Sequence, residues 1–162
     1  RYGYSENSRF YDSGQLTCNL MTTICQDARG FVWIGTEYGL NKFDGVQFTQ
    51  YLNKENDATS LLGNIVRELF VDRDQRLWVG CSNGLQYYLP EKDVFCTVPF
   101  EENLTPSVAE IVQLQNGEIW LVATGRGLFK VDRENNKVVA LGEINKICGT
   151  QSISTRHCFE LL

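Results

Sequence analysis

Histidine, proline and methionine are scarce in this 162-residue chain, which holds one histidine, three prolines and one methionine. With His157 as the sole imidazole, a Ser-His-Asp or Cys-His arrangement could be built only there, and no recognisable nucleophile motif stands near it. Six cysteines (Cys18, Cys25, Cys81, Cys96, Cys148, Cys158) supply no metal centre either, because none of them forms a Cys-x-x-Cys pair. Long apolar runs are missing: nothing approaches the roughly 20 residues of a membrane-spanning helix, and no secretory leader is visible. Clustered basic charge is missing too. Fifteen Lys and Arg against 20 Asp and Glu leave a net charge of −5 with no long run of either sign, which argues against a nucleic-acid partner. No metal and no cofactor is expected.

What the chain has is glycine, 14 of them, and a tryptophan that returns at a regular interval. The stretch 26–44 contains Asp27, Gly30, Phe31-Val32-Trp33-Ile34-Gly35-Thr36, Gly39-Leu40 and Asp44. A second copy runs from Asp72 through Leu77-Trp78-Val79-Gly80 to Gly84-Leu85, with Trp78 45 positions after Trp33. A third copy holds Asn116-Gly117, Ile119-Trp120-Leu121 and Gly127-Leu128, with Trp120 42 positions after Trp78. Short strands and tight turns repeating at this interval point to β-propeller blades or an equivalent stacked array.

Each repeated residue has a physical task. Asp27 with Gly30, and Asn116 with Gly117, mark a hairpin turn, where glycine tolerates positive φ and Asp or Asn bonds its own backbone. The β-branched and aromatic run around each tryptophan supplies a strand. The indole should fill the space between neighbouring sheets, with its N–H bonded to a carbonyl. Gly35 and Gly80 should let another backbone approach, and Gly39, Gly84 and Gly127 should permit a second turn. Leu40, Leu85 and Leu128 restart the next strand. Apolar periodicity near two, punctuated by glycine, predicts no helix anywhere.

On Asp27, Gly30, Trp33, Gly35, Thr36, Gly39, Leu40 and Asp44 the repeat resembles the two-component regulator propeller motif of the extracytoplasmic sensor region of hybrid two-component systems of gut Bacteroidetes. The later copies depart from it: Gln75 replaces the first glycine, Cys81 replaces Thr36, Leu89 replaces Asp44, and Leu114 stands where Asp27 would be. The expected fold is all-β, a partial propeller of about three four-stranded antiparallel blades and the start of a fourth. The blades are expected at 20–52, 65–98 and 108–141, with 155–162 opening the fourth. Residues 1–19 form an N-terminal segment that could supply the outer strand of a closing blade. Three blades cannot easily close a ring, so the chain is expected to belong to a longer one. The β-edge and Trp-rich blade face left at each end lead us to expect self-association.

Meander topology places the turns between second and third strands, together with the connections between blades, on one side. Glu37, Tyr38, Asn83 and Arg126 lie on that side and are the candidate ligand-binding residues, Tyr38 as a stacking platform for a sugar ring and the others as hydrogen-bonding partners. Plain solvent exposure is the competing reading of each. Cys25 aligns with the apolar Phe70 and Val112, so Cys25 and Cys81 read as small buried hydrophobes. For Cys148 and Cys158 a disulfide and free thiols both stay open. No catalytic residue is identified.

The resemblance implies an oligosaccharide-responsive segment of a sensor histidine kinase, periplasmic in location, whose membrane span and catalytic domains lie outside this sequence. A passive interaction or dimerisation scaffold and a propeller glycan lyase or hydrolase are the alternatives.

Overall fold

The computed structural model describes residues 16–148. Expectations for 1–15 and 149–162, which include the fourth-blade strand, His157 and Cys158, lie outside the described residues, as does the side chain of Cys148.

Twelve strands form three separate four-stranded antiparallel meanders. Blade 1 holds β1 (Met21–Gln26), β2 (Val32–Thr36), β3 (Gly39–Phe43) and β4 (Phe48–Tyr51). Blade 2 holds β5 (Val66–Val71), β6 (Leu77–Cys81), β7 (Gly84–Leu89) and β8 (Val94–Val98). Blade 3 holds β9 (Val108–Gln113), β10 (Ile119–Ala123), β11 (Gly127–Asp132) and β12 (Lys137–Ala140). One correction concerns helix: α1 spans Gly142–Cys148. At seven residues it is too short to display a 3.6-residue apolar period, and it is held from outside. The Asn145 carboxamide accepts from the Leu128 amide at 2.7 Å and donates to the Leu128 carbonyl at 2.9 Å, docking the helix on the edge of β11.

Alternation along the strands gives each blade a front, turned to the next blade, and a rear. The front of blade 1 carries Trp33, Leu40 and Tyr51, and these bury the rear of blade 2, namely Leu69, Leu77, Val79, Tyr88 and Phe95. The front of blade 2 carries Trp78, Leu85 and Val98 against Ile111, Ile119, Leu121, Val131 and Val138 at the rear of blade 3. These two cores hold the array together. The Trp33 ring meets Tyr88 edge-on at 4.8 Å and stacks on Tyr51 at 5.7 Å.

Gly35 and Gly80 make the inter-blade spacing possible, but what approaches them is chiefly a side chain rather than the expected backbone. A Cβ on Gly35 would lie 2.7 Å from Val66 Cγ1, and one on Gly80 would lie 2.8 Å from Val108 Cγ1. Val66 and Val108 open the first strand of the following blade, so the glycine is the slot into which the next blade seats.

The lower-side hairpins add polar latches. Asp93, in the β7–β8 hairpin, accepts from the Tyr51 and Tyr88 hydroxyls at 2.7 and 2.6 Å and lies 4.0 Å from Lys42 of blade 1. Arg133, in the β11–β12 hairpin, reaches back to Asp74 at 3.0 Å and Asp72 at 3.4 Å in blade 2.

Candidate functional site

The turns between second and third strands do lie at equivalent places in successive blades, yet they differ in what their side chains are doing. Glu37 is engaged: its carboxylate accepts from Arg67 Nη1 at 2.9 Å. Arg67 occupies the point where the β5–β6 register shifts, a bulge repeated at Thr22 in β1 and at Ala109 in β9. Bulges re-aim a side chain, and here the result is an ion pair bridging blades 1 and 2. Asn83 is engaged as well. Its Nδ2 donates to the Leu62 carbonyl at 3.2 Å and its side chain packs against Gly63, leaving a buried Oδ1 with no hydrogen-bond partner. Asn83 therefore fastens the 53–64 connection to blade 2.

Tyr38 and Arg126 are different. Tyr38 is 52% exposed, and its backbone amide donates to Thr36 Oγ1 at 3.0 Å. Arg126 is exposed, its turn closed by its amide donating to the Ala123 carbonyl at 2.9 Å. Among the described residues the Arg126 guanidinium has no partner. Of the four sequence candidates, then, an aromatic ring and a cation are presented outward, while Glu37 and Asn83 are committed to the scaffold.

Open clefts adjoin the blades. On the candidate side, a cleft of about 500 Å³ lies between the 53–64 connection and β7 and is lined by Asn53, Lys54, Asp57, Ser60 and Gln86. Gln86, buried, ties the connection down: its Oε1 accepts from the Leu62 amide at 2.7 Å and its Nε2 donates to the Ser60 carbonyl at 3.1 Å. Asn41 does the same job at the equivalent position of blade 1, accepting from the Thr17 amide at 3.0 Å. Another cleft, about 700 Å³, opens on the lower side of blades 2 and 3 among Arg73, Asp74, Glu118, Lys130 and Arg133. Its charges are largely spent on each other, through Lys130–Glu118 at 2.9 Å and Arg133–Asp74 at 3.0 Å.

The tryptophans are packed as the repeat demands, but their indole partners are carboxylates, not carbonyls. Trp33 Nε1 donates to Asp27 at 3.0 Å and Trp78 Nε1 to Asp72 at 2.8 Å. The same aspartates cap their own hairpins, Asp27 accepting from the amides of Arg29 and Phe31 and Asp72 from that of Arg76. In the third copy Leu114 cannot accept, and Glu118, two residues before Trp120, supplies the carboxylate at 3.0 Å. Burial pushes the Asp27 carboxyl up, but bonds from the Trp33 indole, the Arg29 guanidinium and the Phe31 amide outweigh it and hold the pKa below the ordinary value. The Lys130 bond, then those from Trp120 and Asn116, hold Glu118 low. The signal for Asp was in the sequence, six residues before each of two tryptophans, where it also fitted a turn.

Lys42 was missed altogether. Its ammonium sits 5.2–5.7 Å from the ring centroids of Phe31, Trp33, Tyr51 and Tyr88, a cation–π box at the junction of blades 1 and 2. Rings from β2, β4 and β7 and from Phe31 just before β2, in two blades, assemble it. Cys18, Cys25, Cys81 and Cys96 are free thiols, and burial pushes Cys25 and Cys81 up to about 12, far from the reactive thiolate range. Among the described residues no cluster of three His, Cys, Asp or Glu could hold a metal, and no helix is long and apolar enough to cross a membrane.

Residues 15–38 and 60–83 match the family model described as two component regulator propeller. The chain is 35% identical over 101 residues to histidine kinase P4 of Formosa agariphila, covering 57% of this chain and 7% of the kinase. In structure it is similar to the extracellular domain of a hybrid two component system from B. thetaiotaomicron, with TM-score 0.70 and 29% identity over 77% of this chain and 18% of that one. Virginiamycin B lyase from Staphylococcus aureus shares the fold at TM-score 0.54 and 19% identity, over 73% of this chain and 39% of the lyase. The chain thus spans less than a fifth of the kinase and of the extracellular domain it matches.

Proposed function

Because this chain carries repeats of the two-component regulator propeller family, we propose that it is a ligand-sensing portion of the extracytoplasmic propeller region of a hybrid two-component sensor histidine kinase. The observation that carries this reading is the likeness of the three-blade array to the extracellular domain of a hybrid two component system at TM-score 0.70. The proposed location is the periplasm of a Bacteroidetes cell, and the proposed ligand is an oligosaccharide released from a complex glycan, whose utilisation genes the parent kinase would regulate.

The exposed Tyr38 ring and the unpaired Arg126 guanidinium suit such a ligand: an aromatic face stacks on the C–H face of a pyranose, and a fork of N–H donors serves its hydroxyl or carboxylate oxygens. Glu37 and Asn83, already bonded within the protein, would hold the turns in place instead. Binding would transmit a signal only by favouring one arrangement of the propeller over another, so the ligand must discriminate between the two.

The test is a thermal-shift and calorimetric screen of the chain, and of a longer ectodomain, against a panel of defined oligosaccharides. A ligand that raises the melting temperature of the wild type, and does so at least about tenfold more weakly in Tyr38→Ala or Arg126→Ala, supports the reading. A flat panel for both proteins removes it, and turnover of the glycan would replace it with a lyase or hydrolase.

A further inference from the structure

We propose that Arg67 is a sugar-contacting residue beside Tyr38, and that the Glu37 carboxylate paired with it makes the site select uncharged oligosaccharides over acidic ones. The inference rests on the reading above, that this chain binds an oligosaccharide, and it names the chemical class of that ligand.

The repeat itself does not call for the pair. The bulge that holds Arg67 in β5 holds Thr22 in β1 and Ala109 in β9, and strand register places Ser82 where blade 1 has Glu37. At the junction of blades 2 and 3 the equivalent residues are therefore Ser82 and Ala109, which cannot form an ion pair, yet that junction is buried all the same. An ion pair whose side chains are 40% and 35% exposed adds little to stability. Its presence at this junction is better accounted for by what it presents than by what it holds.

The turn beside it is pinned on both flanks. The Glu37 amide donates to the Leu20 carbonyl at 2.9 Å, the Tyr38 amide to Thr36 Oγ1 at 3.0 Å and the Gly39 amide to the Asn64 carbonyl at 2.6 Å. The Tyr38 ring thus stands on a fixed base. Glu37 takes one N–H of Arg67, at Nη1, and among the described residues the Nε and Nη2 hydrogens have no partner. The carboxylate orients the planar fork and leaves donors to spare, one residue along the turn from an exposed ring. Groups held in this way lose little freedom on binding. A pyranose offers each its counterpart, an apolar C–H face for the ring and hydroxyl oxygens for the fork.

Charge decides which sugars. Arg67 is the one Lys or Arg in the first strands of the three blades, which also hold Glu68 and Glu110. Its own charge is cancelled by Glu37 at 2.9 Å. A uronate or sulfate brought to the fork would gain no net attraction from the pair and would meet the Glu37 carboxylate at close range, whereas a hydroxyl meets no such repulsion.

Calorimetric titration of the chain and of the longer ectodomain tests this, with cellotetraose, xylotetraose and mannotetraose as neutral probes and tetragalacturonate and a sulfated chondroitin tetrasaccharide as acidic ones. A neutral probe should bind more tightly than either acidic one. Arg67→Ala, at an exposed position and checked for an unchanged circular dichroism spectrum, should weaken that binding at least about tenfold. Glu37→Gln, whose amide oxygen can still accept from Arg67, should keep neutral binding and raise the affinity for the acidic probes about fivefold. A pair that served only to join the blades would leave the ratio of neutral to acidic binding unmoved. A wild type that prefers an acidic probe, neutral binding indifferent to Arg67→Ala, or an unchanged preference in Glu37→Gln would each overturn the inference while leaving the sensor reading in place; a flat response to every probe removes both.

Discussion

Asp72 concentrates the logic of the repeat in one side chain. One oxygen takes the Trp78 indole at 2.8 Å and the other caps the hairpin through the Arg76 amide at 2.9 Å, in a setting only 2% exposed. Truncation strands two donors, each costing its desolvation without recompense, so Asp72→Ala should lower stability by about 2–4 kcal/mol in denaturant titration. A loss under about 0.5 kcal/mol, the level of an ordinary surface change, would mean that water replaces the carboxylate. Leu114, at the aspartate's place in the third copy, could be read from sequence as a lost carboxylate, but not as one replaced by Glu118 four residues later. That required knowing that the Glu118 side chain, just before β10, reaches the Trp120 indole. Gln75 is a similar case: it takes φ +65 where the other copies use Gly30 and Gly117, a strain legible as a missing glycine.

At the scale of elements, the blade boundary depends on one absent Cβ. Gly80→Val places new atoms against Val108, whose Cγ1, Cβ and carbonyl oxygen all lie within 3.2 Å of an added Cβ. Backbone cannot yield as a side-chain tip can, so overpacking of about 1–3 kcal/mol is expected, read as an earlier unfolding midpoint. Unchanged stability would show that blades 2 and 3 can slide apart freely. Strand order, turn placement and the three meanders were legible because a period of two and regularly spaced glycines state them locally. The helix α1 was not, since its seven residues owe their conformation to a carboxamide clasp on β11. Likewise, two of the four candidate side chains were out of use: Glu37 met a bulge-directed arginine, and Asn83 met a neighbouring connection.

For the whole molecule, carboxylates at the blade junctions set the response to acid. Asp93 gains in pKa from burial and loses more to the Tyr88 and Tyr51 hydroxyls, ending below the ordinary 3.8 as Asp27 does. A depressed folded-state pKa contributes stability that is complete above the unfolded value and disappears as pH falls through the folded one. Glu68 runs the other way: burial, chiefly, raises it above 4.5, so it favours the folded state at lower pH and opposes it once ionised. Two junction aspartates and Glu118 outnumber it, and the melting temperature should hold from neutrality down to about pH 4.5 and fall below pH 3.8. A melting temperature that rises on acidification through that window would show that Glu68 dominates.

By itself the sequence determined that this chain is all-β, that it repeats, where its strands turn, and that its tryptophans are for packing, because periodicity and turn chemistry act between residues a few positions apart. Tertiary structure alone decided which carboxylate holds each indole, that Lys42 lies among four rings, and which turn side chains are committed to the scaffold. Those outcomes depend on groups distant along the chain, many of them from different blades, arriving at one place, so no local pattern along the chain can state them.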